Sequence, residues 1–205
     1  MTNKLSGFIE MKRKMNIPSI DWKEFNEDTV LDDSILWTVR TAVYTGNDQS
    51  LPRKVGVTAE EASEFARQML QKLKGGEQGI VIYYPYFVAD KSGNLIVTSS
   101  QVVIEAVKSD LWNMVDNFDR DVTITYTGGK TFIEGDRDFL SEEEQSLLLK
   151  NVPAIKGAFR DDLMEGQGAL LEWSFARNCN LNKEPVGEPY LVFYEARTYY
   201  SRYSG

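Results

Sequence analysis

Apolar residues recur at helical spacing in several parts of the chain, and two of these begin with a capping signal. Thr58 and Glu61 form a capping box. They predict a helix from about Ala59 to Leu73, which Gly75-Gly76 would end. The other predicted helices are Lys4–Met15, one that follows a second capping box at Ser141 and Glu144, and Ala154–Met164.

Runs rich in Val, Ile, Thr and aromatic residues, separated by turn residues, predict strands. The predicted strands are Ile35–Val39, Gly79–Ala89, Leu95–Thr98, Val102–Val107, Asp121–Tyr126, Thr131–Ile133, Ala169–Ala176 and Tyr190–Arg197. Asp90–Asn94 is predicted as a turn, and Thr127–Lys130 as the turn of a hairpin. Strands grouped locally with helices between them predict an α+β fold with a mostly antiparallel sheet and packed helices. We expect one domain over residues 1–205, or two small lobes at about 1–75 and 76–205.

Composition narrows the possible partners and the compartment. The chain has 205 residues, of which 42% are apolar, enough for a sizeable core. A net charge of −8 argues against general nucleic-acid binding, which requires a basic surface. No stretch approaches the roughly 20 apolar residues that span a membrane, and no signal-peptide pattern opens the chain. With Cys179 as the only cysteine, a cytoplasmic protein is expected.

The chain contains no histidine, and this excludes several kinds of chemistry. A Ser-His-Asp hydrolase, a His-ligated zinc site and a phosphohistidine carrier within the chain are all ruled out. Any phosphoryl acceptor must therefore be another type of residue or lie outside the chain.

Four segments, in order, carry a family resemblance. Lys4–Met11 is followed by Ile17-Pro18, and Trp37–Ala42 contains Val-Arg-Thr-Ala. Val88–Leu95 reads Val-Ala-Asp-Lys-Ser-Gly-Asn-Leu. Near the end, Leu-Leu-Glu-Trp at 170–173 is followed by Tyr-Glu-Ala-Arg at 194–197. Together these segments resemble the ATP-grasp nucleotide-binding domain of phosphoenolpyruvate synthases and pyruvate phosphate dikinases, in a shortened form.

The resemblance implies an ATP- and Mg²⁺-dependent phosphotransfer module of ATP-grasp fold. It implies that Lys4, Arg40 and Arg197 contact phosphates, with Arg40 and Arg197 taking part in catalysis. Glu172 and Glu195 would be metal ligands. Two residues apart on a strand, Glu195 and Arg197 are expected on one face of the sheet.

Glu105 lies inside an apolar strand and is a further candidate for nucleotide binding. The phosphoryl acceptor would be a separate protein or a small molecule. The oligomeric state is left open by the sequence.

Two alternatives remain. The family's glycine loop is replaced by Ser109-Asp110-Leu111-Trp112, and Leu170 stands where the family has an aspartate. These departures favour a non-catalytic domain that senses nucleotide or contacts proteins while keeping the fold. A plain interaction domain with an accidental resemblance is the other alternative. In that case Glu172, Glu195 and Arg197 would not share a pocket.

Overall fold

The computed structural model describes residues 4–46, 50–76, 78–111, 114 and 120–200. The helices are α1 Lys4–Glu10, continued by a π-helical turn at Met11–Met15, α2 Ala59–Lys74, α3 Glu142–Leu149, α4 Val152–Ala158 and α5 Arg160–Met164. The strands are β1 Lys23–Glu24, β2 Trp37–Ala42, β3 Arg53–Val57, β4 Ile80–Pro85, β5 Phe87–Val97, β6 Gln101–Lys108, β7 Val122–Thr127, β8 Lys130–Gly135, β9 Gly168–Cys179 and β10 Pro185–Tyr199. The predicted α+β class is confirmed.

Contacts divide the chain into two compact units. Unit 1 comprises the described residues within Met1–Ser6, Ile20–Val88 and Arg177–Pro189, and unit 2 comprises those within Gly7–Ser19, Ala89–Ala176 and Tyr190–Gly205. Each unit is assembled from separate segments. This division therefore differs from two lobes that each consist of one continuous segment, at about 1–75 and 76–205.

Unit 1 is built on a four-stranded sheet in the order β1-β4-β2-β3, with antiparallel pairing throughout. Helix α2 packs on β2, β3 and β4 and buries Ala62, Ala66 and Met69 against Val39 and Val81. Both predicted capping contacts are present, since the Thr58 hydroxyl accepts from the Glu61 N–H and the Glu61 carboxylate accepts from the Thr58 N–H. One face of this sheet is thereby fixed against the helix.

Most of a six-stranded sheet in the order β10-β9-β5-β6-β7-β8 belongs to unit 2, while one end each of β5, β9 and β10 is counted in unit 1. Strands β5 to β8 pair antiparallel in succession. The predicted hairpin turn is confirmed, because Gly128 and Gly129 connect β7 to β8 with φ of 56° and 72°. Two consecutive positive φ angles are the requirement of the type I′ turn that suits hairpins. The second capping box is also confirmed, with Ser141 and Glu144 at the start of α3.

The predicted turn at Asp90–Asn94 is wrong, because these residues lie inside the continuous strand β5. Gly93 sits directly opposite Ala106 on β6. A Cβ at Gly93 would collide with the carbonyl oxygen of Glu105 and lie 2.6 Å from Cζ2 of Trp173. The glycine is therefore needed for the close approach of neighbouring strands and not for a turn.

None of the helices in the described part of the chain is both long and apolar enough to cross a membrane.

Candidate functional site

Three of the predicted site residues meet on two neighbouring strands of unit 2. Glu172 lies on β9, and Glu195 and Arg197 lie on β10. Nη2 of Arg197 is 3.9 Å from Oε1 of Glu172, and its Nη1 is 3.6 Å from Oε1 of Glu195. We call these three residues the carboxylate cluster. Both predicted metal ligands therefore share one guanidinium.

The ion pairs in the carboxylate cluster are loose. Both distances exceed the length of a charge-assisted hydrogen bond, which is about 2.7–2.9 Å. The side chain of Arg197 is 53% exposed, whereas those of Glu172 and Glu195 are 16% and 24% exposed. Long ion pairs in which one partner is exposed contribute about 0–1 kcal/mol. The two ion pairs of Arg197 therefore contribute little to the stability of the fold.

Glu105 is held differently, because both of its carboxylate oxygens have partners on the protein. Nε of Arg120 lies 2.5 Å from Oε1 of Glu105. The side-chain amide of Asn94, directly opposite on β5, donates to Oε2 at 3.1 Å. These contacts favour a structural role for Glu105 over the predicted role in nucleotide binding.

A chain of hydroxyl groups runs beside Glu172. The Ser92 hydroxyl donates to the carbonyl oxygen of Ser109 at 2.6 Å, and its oxygen lies 2.8 Å from that of Ser174. Ser174 is two residues from Glu172 on β9 and therefore points to the same side of the strand. The Ser174 hydroxyl donates to the Tyr194 oxygen at 3.4 Å. The backbone near Glu172 is thus fixed by buried polar contacts.

Tyr194 lies between this polar chain and a small apolar cluster formed by Val107, Leu111 and Met114. Burial raises the pKa of the Tyr194 phenol far above its ordinary value, and the negative charge of Glu172 raises it further. The phenol therefore stays protonated at neutral pH. It acts as a neutral hydroxyl beside a carboxylate.

The two remaining predicted residues belong to unit 1. Lys4 is half-buried at the first position of α1. Arg40 is in the middle of β2 and is only 5% exposed. Its guanidinium donates to the hydroxyl of Tyr84 on β4. Arg40 is therefore a buried, oriented arginine and not a surface residue at a strand end.

The donor set of the carboxylate cluster is suited to Mg²⁺ bound together with a nucleotide. Within the described residues, no group of three or more Asp, Glu or Cys side chains is placed to hold a metal ion. Magnesium, however, is commonly held by one or two carboxylates, with substrate phosphates and water completing the octahedron. Glu172 and Glu195 can supply those two carboxylates.

Sequence reasoning missed Ser92, Ser174, Tyr194 and Asn94. Ser174 has a detectable signal, since it follows Glu172 at the two-residue period of a strand. Ser92 and Asn94 were assigned to a turn, which hid their alternation along β5. Nothing local in the sequence connects Tyr194 with Ser174, because their contact depends on how β9 and β10 are paired.

No protein-family model matches the chain, and no curated protein sequence matches it.

Proposed function

We propose that the protein is an ATP-binding, Mg²⁺-dependent phosphotransfer module of the ATP-grasp type. The observation that carries the proposal is the carboxylate cluster. The sequence predicts Glu172, Glu195 and Arg197 as site residues. Although Glu172 is on a different strand from the other two, Arg197 lies 3.9 Å from Glu172 and 3.6 Å from Glu195 in the fold. The α+β architecture with antiparallel sheets is compatible with this assignment.

The chemistry requires positioned charges more than reactive side chains. Phosphoryl transfer spreads negative charge over the phosphoryl oxygens, and stabilising that charge is most of the catalytic task. Glu172 and Glu195 would hold Mg²⁺, which neutralises phosphate charge when bound. The guanidinium of Arg197, released from the two carboxylates, would bind phosphate oxygens. Within unit 1, taken by itself, Arg40 and Lys4 are proposed as phosphate-binding residues.

Calorimetric titration with a non-hydrolysable ATP analogue, with and without Mg²⁺, tests the proposal. We expect Mg²⁺-dependent binding that falls at least about ten-fold in Glu172→Gln, equivalent to about 1.4 kcal/mol. Glu134→Gln is the matched control, because Glu134 is an exposed glutamate on β8 of the same sheet. If the wild-type protein shows no Mg²⁺-dependent binding, the proposal is wrong.

A second candidate is a domain that binds nucleotide without consuming it. It is favoured by the contacts of Glu105 with Arg120 and Asn94. Because Glu105 is bound by these two side chains, the carboxylate cluster is left as the acidic part of the proposed site. Phosphorus NMR of ATP with the protein, Mg²⁺ and a cell extract from which nucleotides have been removed separates the two. Transfer that requires Glu172 supports the phosphotransferase, and binding without any transfer supports the sensor.

A further inference from the structure

A cavity of about 320 Å³ lies at one end of the unit 2 sheet, beside the turn that joins β7 to β8. Three segments line it, namely residues 100–102 where β6 begins, residues 126–131 around the turn, and Lys156 on α4. All three segments belong to unit 2. The volume is in the range of small-molecule sites, which is about 300–1,000 Å³. We call this cavity the hairpin cavity.

The walls of the hairpin cavity are fixed by strand register and by side-chain hydrogen bonds. Tyr126 and Thr131 lie opposite each other on β7 and β8 and therefore share one face of the sheet. The Tyr126 phenol donates to Oε1 of Gln145 on α3 at 2.8 Å, which ties this face to the helix. The Thr127 hydroxyl donates to the carbonyl oxygen of Ser100 at 3.3 Å and links the two turns at this end of the sheet. The cavity is therefore preformed.

The hairpin cavity is open to solvent at the turn. Gly128, Gly129, Lys130 and Thr131 are all exposed. A Cβ added at Gly128 or Gly129 would meet no described atom within 4 Å. A small molecule can therefore enter from this side.

The charged residues that line the hairpin cavity are both lysines, Lys130 and Lys156. None of the ten described residues that line it is Asp or Glu. Across the described parts of the chain, neither lysine ammonium group makes a hydrogen bond or an ion pair. Lys156 is half-buried, and burial disfavours a positive charge that has no partner. An anion bound at Lys156 would supply the missing negative charge.

Most of the other residues that line the hairpin cavity are polar and uncharged. They include Ser100, Gln101 and Thr131, whereas Val102 is the aliphatic residue of the set. Hydroxyl and amide groups hydrogen-bond to hydroxyl groups of a ligand, and lysine binds phosphate as a point charge. The lining therefore favours a small phosphorylated molecule with hydroxyl groups over an apolar ligand.

We propose that the hairpin cavity binds a small phosphorylated compound with several hydroxyl groups, of the sugar phosphate class. Lys156 binds the phosphate, and Lys130 adds a second positive charge at the mouth of the cavity. The site is separate from the carboxylate cluster, because β6 is two positions from β9 in the sheet, about 10 Å. It is therefore independent of the proposed function.

Glucose phosphate is the probe, and its binding is followed through the backbone amide signals of Gly128, Gly129 and Thr131 in the ¹⁵N-labelled protein. We expect Lys156→Gln to weaken binding by at least about ten-fold, as for loss of a charged hydrogen bond. Lys150→Gln should change it by less than about two-fold at physiological salt, which screens distant charges. Lys150 is the matched control because it is an exposed lysine that follows α3 and does not line the cavity.

Lys156→Arg distinguishes a contact with phosphate from a role in packing. This variant keeps the positive charge, so it should bind glucose phosphate to within about three-fold of the wild type. Equal weakening in Lys156→Gln and Lys150→Gln would overturn the site. So would a wild-type protein in which glucose phosphate leaves the amide signals of the turn unchanged.

Inorganic phosphate and glucose, each added alone, test the class of ligand. Each supplies only part of the contacts, so both should bind at least about ten-fold more weakly than glucose phosphate. Inorganic phosphate that binds as tightly as glucose phosphate would overturn the assignment to a ligand with hydroxyl groups. Glu172→Gln should leave the binding of glucose phosphate unchanged while it weakens binding of the ATP analogue with Mg²⁺. Failure of this site and failure of the proposed function are therefore distinguishable.

Discussion

Two half-buried tyrosines, one on each sheet, have opposite electrostatic surroundings. Burial raises the pKa of both Tyr84 and Tyr194. The positive charges of Arg40 and Arg53 then act to lower the pKa of Tyr84, whereas the carboxylate of Glu172 raises that of Tyr194 further. The phenols thus identify a cationic region in unit 1 and an anionic region in unit 2.

The difference comes from the charges that each sheet places near its tyrosine. Arg40 and Arg53 are opposed in register on β2 and β3, and both act on Tyr84. In the carboxylate cluster, Arg197 balances part of the negative charge of Glu172 and Glu195. The sign of the pKa change that follows removal of one charge is therefore the property that should separate the two regions.

The largest expected effect is loss of the strand packing that supports the anionic region. A Cβ at Gly93 meets backbone of β6 and the ring of Trp173, neither of which can move freely. We expect Gly93→Ala to lower the free energy of unfolding by at least about 3 kcal/mol, the upper range for overpacking. Urea denaturation followed by tryptophan fluorescence measures it.

The control for Gly93→Ala is Gly157→Ala. Gly157 lies in α4, and a Cβ there has no heavy atom within 4 Å. Alanine in a helix is expected to be neutral or to stabilise by up to about 1 kcal/mol. A loss below about 1 kcal/mol in Gly93→Ala would show that the close approach of β5 and β6 is not a strict requirement.

The next largest effect is expected on the free energy of unfolding, through Glu105, whose carboxylate contacts Arg120 and Asn94. Arg120→Gln removes the ion pair to Glu105, whose side chain is 15% exposed, and leaves the contact with Asn94. We expect a loss of about 1 kcal/mol in the free energy of unfolding, because Arg120 is itself partly exposed. Arg137→Gln, an exposed arginine in a loop, should change it little. Equal losses of stability in the two variants would show that the ion pair between Glu105 and Arg120 does not stabilise the fold.

A smaller effect is expected on the affinity for a divalent cation alone. Arg197 and a metal ion compete for Glu172 and Glu195, so Arg197→Gln should increase the affinity for Mn²⁺. The increase should be about two- to five-fold, since a long ion pair with one exposed partner contributes about 0–1 kcal/mol. Calorimetric titration with Mn²⁺ measures it, with Arg137→Gln again as the control. An unchanged or weaker affinity would argue against competition.

The smallest effect is on the two phenols, and its sign differs between the regions. Arg53→Gln removes a positive charge and should raise the pKa of Tyr84, while Glu172→Gln removes a negative charge and should lower that of Tyr194. Changes of roughly 0.5 are expected. NMR titration with ¹³C-labelled tyrosine follows each phenol. pKa changes of the same sign in Tyr84 and Tyr194 would contradict the opposite charges assigned to the two regions.

The raised pKa of Tyr194 also predicts how stability depends on pH. In the unfolded chain a tyrosine ionises near pH 10, whereas in the fold Tyr194 holds its proton to higher pH. Its stabilising contribution is therefore complete below pH 10 and decreases as pH rises from there towards the raised pKa. In Tyr194→Phe, stability should fall less steeply with pH above 10 than in the wild type, as measured by urea denaturation.

Local signals in the sequence were sufficient for much of the fold. The capping box of Thr58 and Glu61 and the Gly128-Gly129 turn depend on neighbouring residues only, and both are present. Gly93 was misread because its role comes from strands that are distant in the sequence. A glycine needed for packing and a glycine needed for a turn have the same sequence signal.

The candidate site shows the same limit. Glu172 and the pair Glu195 and Arg197 could be found from short motifs and the two-residue period of a strand. The pairing of Arg40 with Arg53 could not, because it arises from the register of β2 and β3. Such a register is set by the whole sheet and has no local signature.

The central claim is that a divalent cation binds at Glu172 and Glu195 together with a nucleotide. Mn²⁺ broadens NMR signals of nearby nuclei, so the backbone amides of the ¹⁵N-labelled protein locate it. With the ATP analogue present, we predict selective broadening at Leu171, Trp173 and Ala196, and its loss in Glu172→Gln. Broadening confined to the acidic start of α3 at Glu142–Glu144, or broadening at Leu171, Trp173 and Ala196 that persists in Glu172→Gln, would contradict the account.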